Sequence, residues 1–154
     1  MFGGWFLQAG SNPNTSNIAM WDGTNWNSLQ NGTNGYQVYA LAFDSNSNQL
    51  YVGGSFSQAG STPNTSNIAV WNGTNWNSIQ SILFNDTNVN SDCISFDQIS
   101  NRLFVPLNNG SVAIFNSTSS DWYFLQIFIK LELCLHLLLI QIQIDYMLED
   151  HFYK

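Results

Sequence analysis

The residue types that carry acid–base and nucleophilic chemistry are few in this chain, and they are scattered. Its only histidines are His136 and His151, and its two cysteines, Cys93 and Cys134, form no C-x-x-C pair. A Ser-His-Asp or Cys-His arrangement would have to use one of these histidines, and thiolate metal sites need closely spaced cysteines. The sequence therefore predicts no enzyme, no cofactor and no metal site. It favours two unpaired thiols over a disulfide between them.

One segment superficially resembles the start of a calcium-binding loop. Residues 44–48, DSNSN, have the order D-x-N-x-N, but Gln49 stands where such a loop requires Gly and Ser55 where it requires Glu. We therefore predict a plain hairpin turn at this segment.

The composition excludes other classes of function. The 154 residues include 3 basic and 10 acidic side chains, for a net charge of −7, which leaves no basic surface for a nucleic acid. Asn occurs 21 times, yet 6 Trp, 6 Tyr and 11 Phe are too many aromatic residues for a disordered polar tract. The length suits one domain.

An internal repeat organises the chain. Residues 1–30 and 51–80 are identical at 22 of 30 positions, at an offset of 50. A third, diverged copy follows, in which residues 93–105 match residues 40–52 at an offset of 53. Self-similarity at this period is typical of repeat architectures.

Each copy is typical of short strands. YALAF and QLYVGGSF flank the turn cluster DSNSN, and IAVWNGTNWNSI divides at Asn72-Gly73, which predicts a hairpin with a type I′ turn. Four strands in about 50 residues match a propeller blade. The fold class predicted is therefore all-β, a partial β-propeller with an unrelated apolar C-terminal tail. The predicted ranges are 1–125 for the propeller blades (1–30 partial, 38–80, and 91–125 diverged) and 126–154 for the tail.

The string LYVGG, a loop and then IAVWNGTNW resembles the kelch motif. With ALAFD it is similar to the propeller repeats of cell-polarity cortical marker proteins, whose propeller class includes the central domain of galactose oxidase. The resemblance implies that the glycines permit close approach and that the tryptophans pack one blade on the next. A galactose-oxidase-type enzyme is the least favoured alternative, because residues 1–125 contain no histidine for its copper site. The motif residues are Gly3, Gly4, Trp21, Trp26, Gly53, Gly54, Trp71, Trp76 and Trp122.

The first copy lacks the strand that matches residues 39–43, so fewer than three blades are complete. Closed propellers use about four to eight blades. We expect a piece of a larger propeller, a misplaced gene boundary, or a chain that completes itself by self-association through its open blade edges.

The tail has a different composition, and three interpretations of it stay open. Residues 127–144 are strongly apolar but contain Lys130, Glu132 and His136. The segment could be a membrane anchor over residues 123–144, a pair of strands or an amphipathic helix, or a non-native terminus such as a translated intron.

The functional expectation is a non-enzymatic propeller segment that acts as a protein- or glycan-binding scaffold, part of a larger surface protein. The loops around residues 5–17 and 55–67 would carry specificity. The alternative is a membrane-tethered cell-surface or cell-polarity protein. No signal peptide is visible, but the sequons favour an extracellular or cell-surface location and predict a glycoprotein. The sequons lie at Asn14, Asn31, Asn64, Asn72, Asn85, Asn109 and Asn116.

Overall fold

A computed structural model describes residues 1–79, 92–108 and 111–126, and within these ranges every regular element is a β-strand. The all-β class predicted from the repeat is therefore confirmed for this part of the chain. The strands are β1 (Phe2–Gly3), β2 (Ile18–Trp21), β3 (Trp26–Ser28), β4 (Thr33–Asp44), β5 (Gln49–Ala59), β6 (Ile68–Trp71), β7 (Trp76–Asn77), β8 (Ser95–Asp97), β9 (Arg102–Pro106), β10 (Ser111–Asn116) and β11 (Asp121–Gln126).

The strands form three antiparallel sheets, and each sheet keeps its strands in chain order. Sheet 1 has three strands, β1 to β3; sheet 2 has four, β4 to β7; and sheet 3 has four, β8 to β11. Within each sheet, consecutive strands are therefore neighbours, which short connections favour. In the described residues no helix is long and apolar enough to cross a membrane.

The turn between β6 and β7 differs from the type I′ hairpin predicted at Asn72-Gly73. Gly73 has a φ of 95°, but Asn72 keeps a negative φ. The Oδ1 atom of Asn72 instead accepts hydrogen bonds from the backbone amides of Thr74 (3.0 Å) and Asn75 (2.8 Å). The side chain of Asn thus closes a four-residue connection, where the prediction had given that role to backbone conformation alone.

Alternation along β5 explains why the sheets stack in layers. Leu50 and Val52 pack into one cluster with Leu29 of sheet 1, whereas Tyr51 packs into another cluster with Leu103 of sheet 3. Successive side chains of a strand point to opposite faces, so sheet 2 is buried on both sides. Sheet 2 is therefore the middle layer between sheets 1 and 3.

The face of sheet 3 that points away from sheet 2 carries its own cluster, formed by Phe104, Val112 and Ile114 with the partly buried Cys93. Cys93 is disulfide-bonded, which corrects the expectation of two unpaired thiols. Cys134 itself lies outside the described residues.

Two of the motif glycines lie where another strand passes closely. A Cβ atom on Gly54 would lie 2.3 Å from the carbonyl oxygen of Gln37 and one on Gly3 would lie 2.5 Å from Cγ1 of Val38. A Cβ atom on Gly4 would meet only Phe6, at 3.7 Å. Gly4 has more room than Gly54 because, in the part of the chain that the structure describes, sheet 1 has no fourth strand beside it.

Several predictions fall on residues that the structure does not describe. These are the tail from residue 127 onward, with His136 and His151, and the sequons at Asn85 and Asn109. Of the predicted anchor over 123–144, residues 123–126 belong to β11.

Candidate functional site

One hydrogen bond recurs between successive sheets. Trp76 of sheet 2 donates its indole Nε1–H to the carbonyl oxygen of Leu29, which follows sheet 1, at 2.7 Å. Trp122 of sheet 3 donates in the same way to the carbonyl oxygen of Ile79, which follows sheet 2, at 3.0 Å. Leu29 and Ile79 occupy matching positions in the repeat. Each sheet is therefore joined to the preceding one by the same pair of groups.

The donor tryptophan is held by an aromatic partner directly opposite on the neighbouring strand. Trp71 and Trp76 have ring centroids 5.3 Å apart, and Phe115 and Trp122 have centroids 5.0 Å apart. Close cross-strand aromatic pairs stabilise a sheet and orient both rings. The hairpin thus fixes the direction in which the indole N–H points.

Residues 29–32, LQNG, connect β3 of sheet 1 to β4 and contact sheet 2 and its loops, and we call them the docking segment. Besides the Leu29 carbonyl, Gln30 donates from Nε2 to the Thr74 carbonyl (3.1 Å) and to Asn75 Oδ1 (2.8 Å). Gly32 accepts from the Gly60 amide at 2.8 Å. The docking segment therefore makes four polar contacts with sheet 2 and its loops. The Val38 amide of β4 also donates to the Gly4 carbonyl at 3.1 Å, and the Thr33 amide donates to the Ser16 carbonyl at 3.0 Å.

The docking segment was missed from the sequence, although a signal for it exists. The pattern W-x-x-[L/I]-Q occurs in all three copies, at 26–30, 76–80 and 122–126. In the sequence alone, these positions are indistinguishable from other apolar and polar positions of the repeat. Only the structure shows that the fourth residue of the pattern accepts a hydrogen bond from the next sheet.

Sheet 1 carries the same receiving groups, but none of them is used within the described residues. Trp26 Nε1, the Gly10 amide, the Thr24 carbonyl and Asn25 Oδ1 match the groups of sheet 2 and make no hydrogen bond there. Trp21 is 44% exposed, whereas its counterpart Trp71 is 8% exposed. Sheet 1 therefore presents an uncovered version of a surface that is covered in sheets 2 and 3.

The segments over residues 5–17 and 55–67 are each braced from inside by a buried threonine. The second was predicted to be a loop throughout, but residues 55–59 belong to β5 and only residues 60–67 form the loop. Thr15 Oγ1 accepts from the Ala9 amide at 2.7 Å and donates to the Asn12 carbonyl at 2.7 Å. Thr65 repeats both contacts with residues 59 and 62, at 2.9 and 2.7 Å. The two loops thus share one internal frame.

The outward side chains of these loops differ between the two copies. Trp5 and Leu7 are 78% and 85% exposed, whereas the second copy has Ser55 and Ser57 at these positions. Ser57 Oγ donates to Asn34 Oδ1 at 2.9 Å, a contact to the fourth strand that sheet 1 lacks. The same threonine-braced backbone therefore carries exposed apolar side chains in the first copy and polar side chains in the second.

The residues that resembled a calcium loop form a turn, as predicted. The buried Asp44 carboxylate accepts from the amides of Asn46 (2.9 Å) and Ser47 (3.2 Å) and from Ser47 Oγ (2.6 Å). Asp97 holds the matching turn of sheet 3 through Ile99 and Ser100. Among the residues in the described ranges, no group of three His, Cys, Asp or Glu side chains comes together.

The two aspartate turns also join sheets 2 and 3. The Oε1 atom of Gln98 accepts from the Ser45 amide at 3.0 Å and from its hydroxyl at 2.9 Å. Asn46 Nδ2 donates to the Gln98 carbonyl (2.9 Å) and to Asn101 Oδ1 (2.8 Å). These hydrogen bonds supplement the tryptophan contact at the other end of the interface.

Asp22 lies at the repeat position that matches Asn72, and its charged carboxylate accepts the hydrogen bonds that close the turn between β2 and β3. Its Oδ1 accepts from the amides of Thr24 and Asn25, both at 2.8 Å, and its Oδ2 accepts from Asn27 Nδ2 at 2.7 Å. The backbone hydrogen bond from Asn25, with those from Asn27 and Thr24, lowers the pKa of Asp22 below its ordinary value. The Asp22 carboxylate therefore stabilises the turn between β2 and β3.

A cleft of about 380 Å³ lies between sheets 2 and 3. Its walls supply hydroxyl groups, amides and aromatic rings. Close by, burial and then the negative charge of Asp44 raise the pKa of Tyr51 to about 12, although a hydrogen bond with Ser117 acts in the opposite direction. The lining residues are Gln49, Val70, Ser78, Ile79, Phe115, Ser117, Ser120 and Trp122.

The described sequons fall into two groups. Asn14, Asn31 and Asn64 are exposed and their side-chain amides accept no hydrogen bond from the turn around them. Asn72 and the half-buried Asn116 each accept two backbone amides at Oδ1. The first group therefore offers the more accessible attachment points.

No family model matches the chain, and no curated protein or solved structure matches it. The function is therefore inferred from the contacts of the chain's own residues.

Proposed function

We propose that this chain is a non-enzymatic scaffold of the kelch-like β-propeller type, in which the three sheets are successive blades. The observation that supports this most directly is the repeated bond from Trp76 to Leu29 and from Trp122 to Ile79. In a propeller each blade packs face to face on the blade before it. A contact that recurs at matching repeat positions is what such an arrangement requires.

The proposed ligand surface is formed by the loop over residues 5–17 and by residues 55–67, which are the end of β5 and the loop that follows it. Their threonine-braced frames hold a fixed shape while the outward residues vary, as at Trp5 and Ser55. Binding loops on a rigid scaffold are a common functional arrangement. An exposed Trp and Leu supply the apolar area that a protein surface or a sugar ring would cover.

An extracellular or cell-surface location belongs to the same proposal. Asn14 and Asn64 lie exposed on the two loops, at sequons, so glycans there would flank the ligand surface. A membrane-tethered form would need its span to begin after β11, because residues 123–126 pair with β10.

The experiment is a binding screen of the full chain against a glycan array and a phage-displayed peptide library. The test variant is Trp5→Ser with Leu7→Ser, which gives the first loop the residues of the second. The matched control is Ser55→Ala with Ser57→Ala. We expect the test variant to weaken binding of the selected ligand about tenfold or more, with an unchanged far-ultraviolet circular dichroism spectrum. Equal binding by the wild-type chain and the test variant, or no ligand from either library, would overturn the loop assignment.

A further inference from the structure

The two ends of the stack of sheets are complementary to one another. Sheet 1 exposes the indole donor and aromatic face that sheets 2 and 3 use to receive the preceding sheet. We propose that this face receives β11 of a second copy of the same chain, so that two copies associate head to tail. The inference rests on the sheet-stacking part of the proposed function and is independent of the loop ligand.

The receiving end is built from Phe2, Trp21 and Trp26. Trp26 lies 5.1 Å from Phe2 and 5.2 Å from Trp21 between ring centroids, so the three rings form one cluster. Phe2 and Trp21 are 55% and 44% exposed. An exposed aromatic cluster of this kind marks an interaction surface. The Nε1–H of Trp26, which makes no hydrogen bond within the described ranges, can donate to a carbonyl acceptor.

The other end of the stack offers the matching acceptor position. Leu125 lies three residues after Trp122, as Leu29 lies three residues after Trp26. Leu125 is 36% exposed, whereas Leu29, which sheet 2 covers, is 1% exposed. Leu125 is therefore more open to solvent than Leu29, which sheet 2 covers.

Register shows which face Leu125 lies on. It pairs directly with Val112, and Tyr123 pairs directly with Ile114. Directly opposed residues share a face of the sheet, and Val112 and Ile114 lie on the face that points away from sheet 2. Phe104 and Val112 on this face are fully buried and Ile114 is 7% exposed, whereas Tyr123 is 52% exposed. Only the outer strand β11 is therefore open on this face, and the second copy would contact it there.

The occupant is a second copy because the contact continues one that the chain already makes twice. The internal contacts place Trp76 on Leu29 and Trp122 on Ile79. The next contact in this series joins Trp26 of one copy to Leu125 of the other. Two copies bring six sheets together, within the range of about four to eight blades that closed propellers use. Head-to-tail contacts either close in this way or continue into filaments.

The test measures the mass of the full chain by native mass spectrometry and sedimentation equilibrium over a micromolar concentration range. We expect association in the wild-type chain, a dissociation constant raised about tenfold by Trp26→Phe, and a monomer for Trp26→Arg and for Leu125→Arg. Ile99→Arg is the matched control, because it adds the same charge at an exposed apolar residue of the β8–β9 turn. It should associate like the wild-type chain.

Mixing the two arginine variants tests the head-to-tail geometry. Trp26→Arg keeps an intact Leu125, and Leu125→Arg keeps an intact Trp26, so an equimolar mixture should form a one-to-one complex through a single contact. A wild-type chain that stays monomeric would overturn the proposal. So would a Leu125→Arg variant that still associates, because Trp26 would then meet another partner surface.

These outcomes are separable from failure of the scaffold itself. If the wild-type chain is monomeric but still binds its loop ligand, only the second-copy inference fails. Loss of the near-ultraviolet circular dichroism of the buried Trp71 and Trp76 pair in Trp26→Arg would show that this variant is misfolded. The change in the dissociation constant of Trp26→Phe then tests the proposal in its place.

Discussion

The indole nitrogen of Trp76 has a role that its ring alone could not fill. The ring packs among apolar residues and is 2% exposed, while Nε1 bonds to the buried Leu29 carbonyl. We expect Trp76→Phe to lower the free energy of unfolding by about 1 to 2 kcal/mol, because a buried carbonyl loses its donor. Urea unfolding of dilute protein measures this change.

Trp26→Phe is the matched control for that substitution. Trp26 occupies the same repeat position, but its Nε1 makes no hydrogen bond among the described residues. Its replacement should therefore leave the stability of the dilute chain nearly unchanged. Equal losses from the two substitutions would show that the ring, rather than the hydrogen bond, accounts for the Trp76 effect.

The glycine pairs allow a second comparison between copies. A Cβ atom on Gly54 would lie 2.3 Å from the Gln37 carbonyl oxygen and 2.8 Å from the Cα of Val38, and backbone atoms cannot easily move aside. We expect Gly54→Ala to destabilise the chain by about 1 to 3 kcal/mol through overpacking. Thermal or urea unfolding would detect it.

Gly4→Ala provides the control, since a Cβ atom there would be in ordinary contact with Phe6 at 3.7 Å. Its stability should stay close to that of the wild-type chain. A Gly4→Ala chain as unstable as Gly54→Ala would indicate that the loss comes from backbone preference and not from the neighbouring strand.

At the scale of elements, the sequence predicted the strands better than the contacts between them. The apolar run that includes Leu50, Tyr51 and Val52 predicted a strand, and the structure shows that this strand is buried on both faces. The hairpin at Asn72 was also located from its sequence, but its turn type was wrong because a side-chain oxygen took over the closing hydrogen bonds.

The candidate contact site was predicted only in part, for a similar reason. The repeat identified Trp76 and Gly54 as packing residues, since large rings and missing side chains have consequences that a pattern reveals. It could not identify the Leu29 carbonyl as the acceptor. A backbone carbonyl is present at every residue, so its role depends on which strand ends beside which indole.

The interface between sheets 2 and 3 should respond to alkaline pH through Tyr51. Burial, with the charge of Asp44, raises its pKa in the folded chain to about 12, above the value near 10 of an unfolded chain. The stabilising contribution is therefore complete below pH 10 and is lost as the pH rises toward 12. The expected loss is roughly 2 kcal/mol, measured by urea unfolding between pH 8 and about 12.

Tyr51→Phe should remove this part of the pH dependence, because no phenol remains there to ionise. Tyr36 is a suitable control, since it is largely exposed on β4, and Tyr36→Phe should leave the alkaline loss in place. An unchanged profile in Tyr51→Phe would assign the loss to other groups.

At the scale of the whole molecule, the three sheets form a series in which neighbours stabilise one another. Contacts between sheets run from β1 to β4 and from β4 to β8, so sheet 2 takes part in both interfaces. In repeat proteins stability is close to a sum of repeat terms and nearest-neighbour terms. The middle sheet should then be the last to open, and a weakened interface should affect only the two sheets that it joins.

Hydrogen exchange of the dilute chain can test this nearest-neighbour behaviour. We expect the amides of β5 and β6 to exchange slowest, and those of β1 and β2 at least about tenfold faster, because sheet 1 has one uncovered face. Trp76→Phe should speed exchange in sheet 1 and leave β10 unchanged. Trp122→Phe should speed exchange in β10 and β11 and leave sheet 1 unchanged, since its bond joins sheets 2 and 3. If either substitution accelerated all three sheets equally, the chain would open as one cooperative unit, and stability would not be divided between separate interfaces.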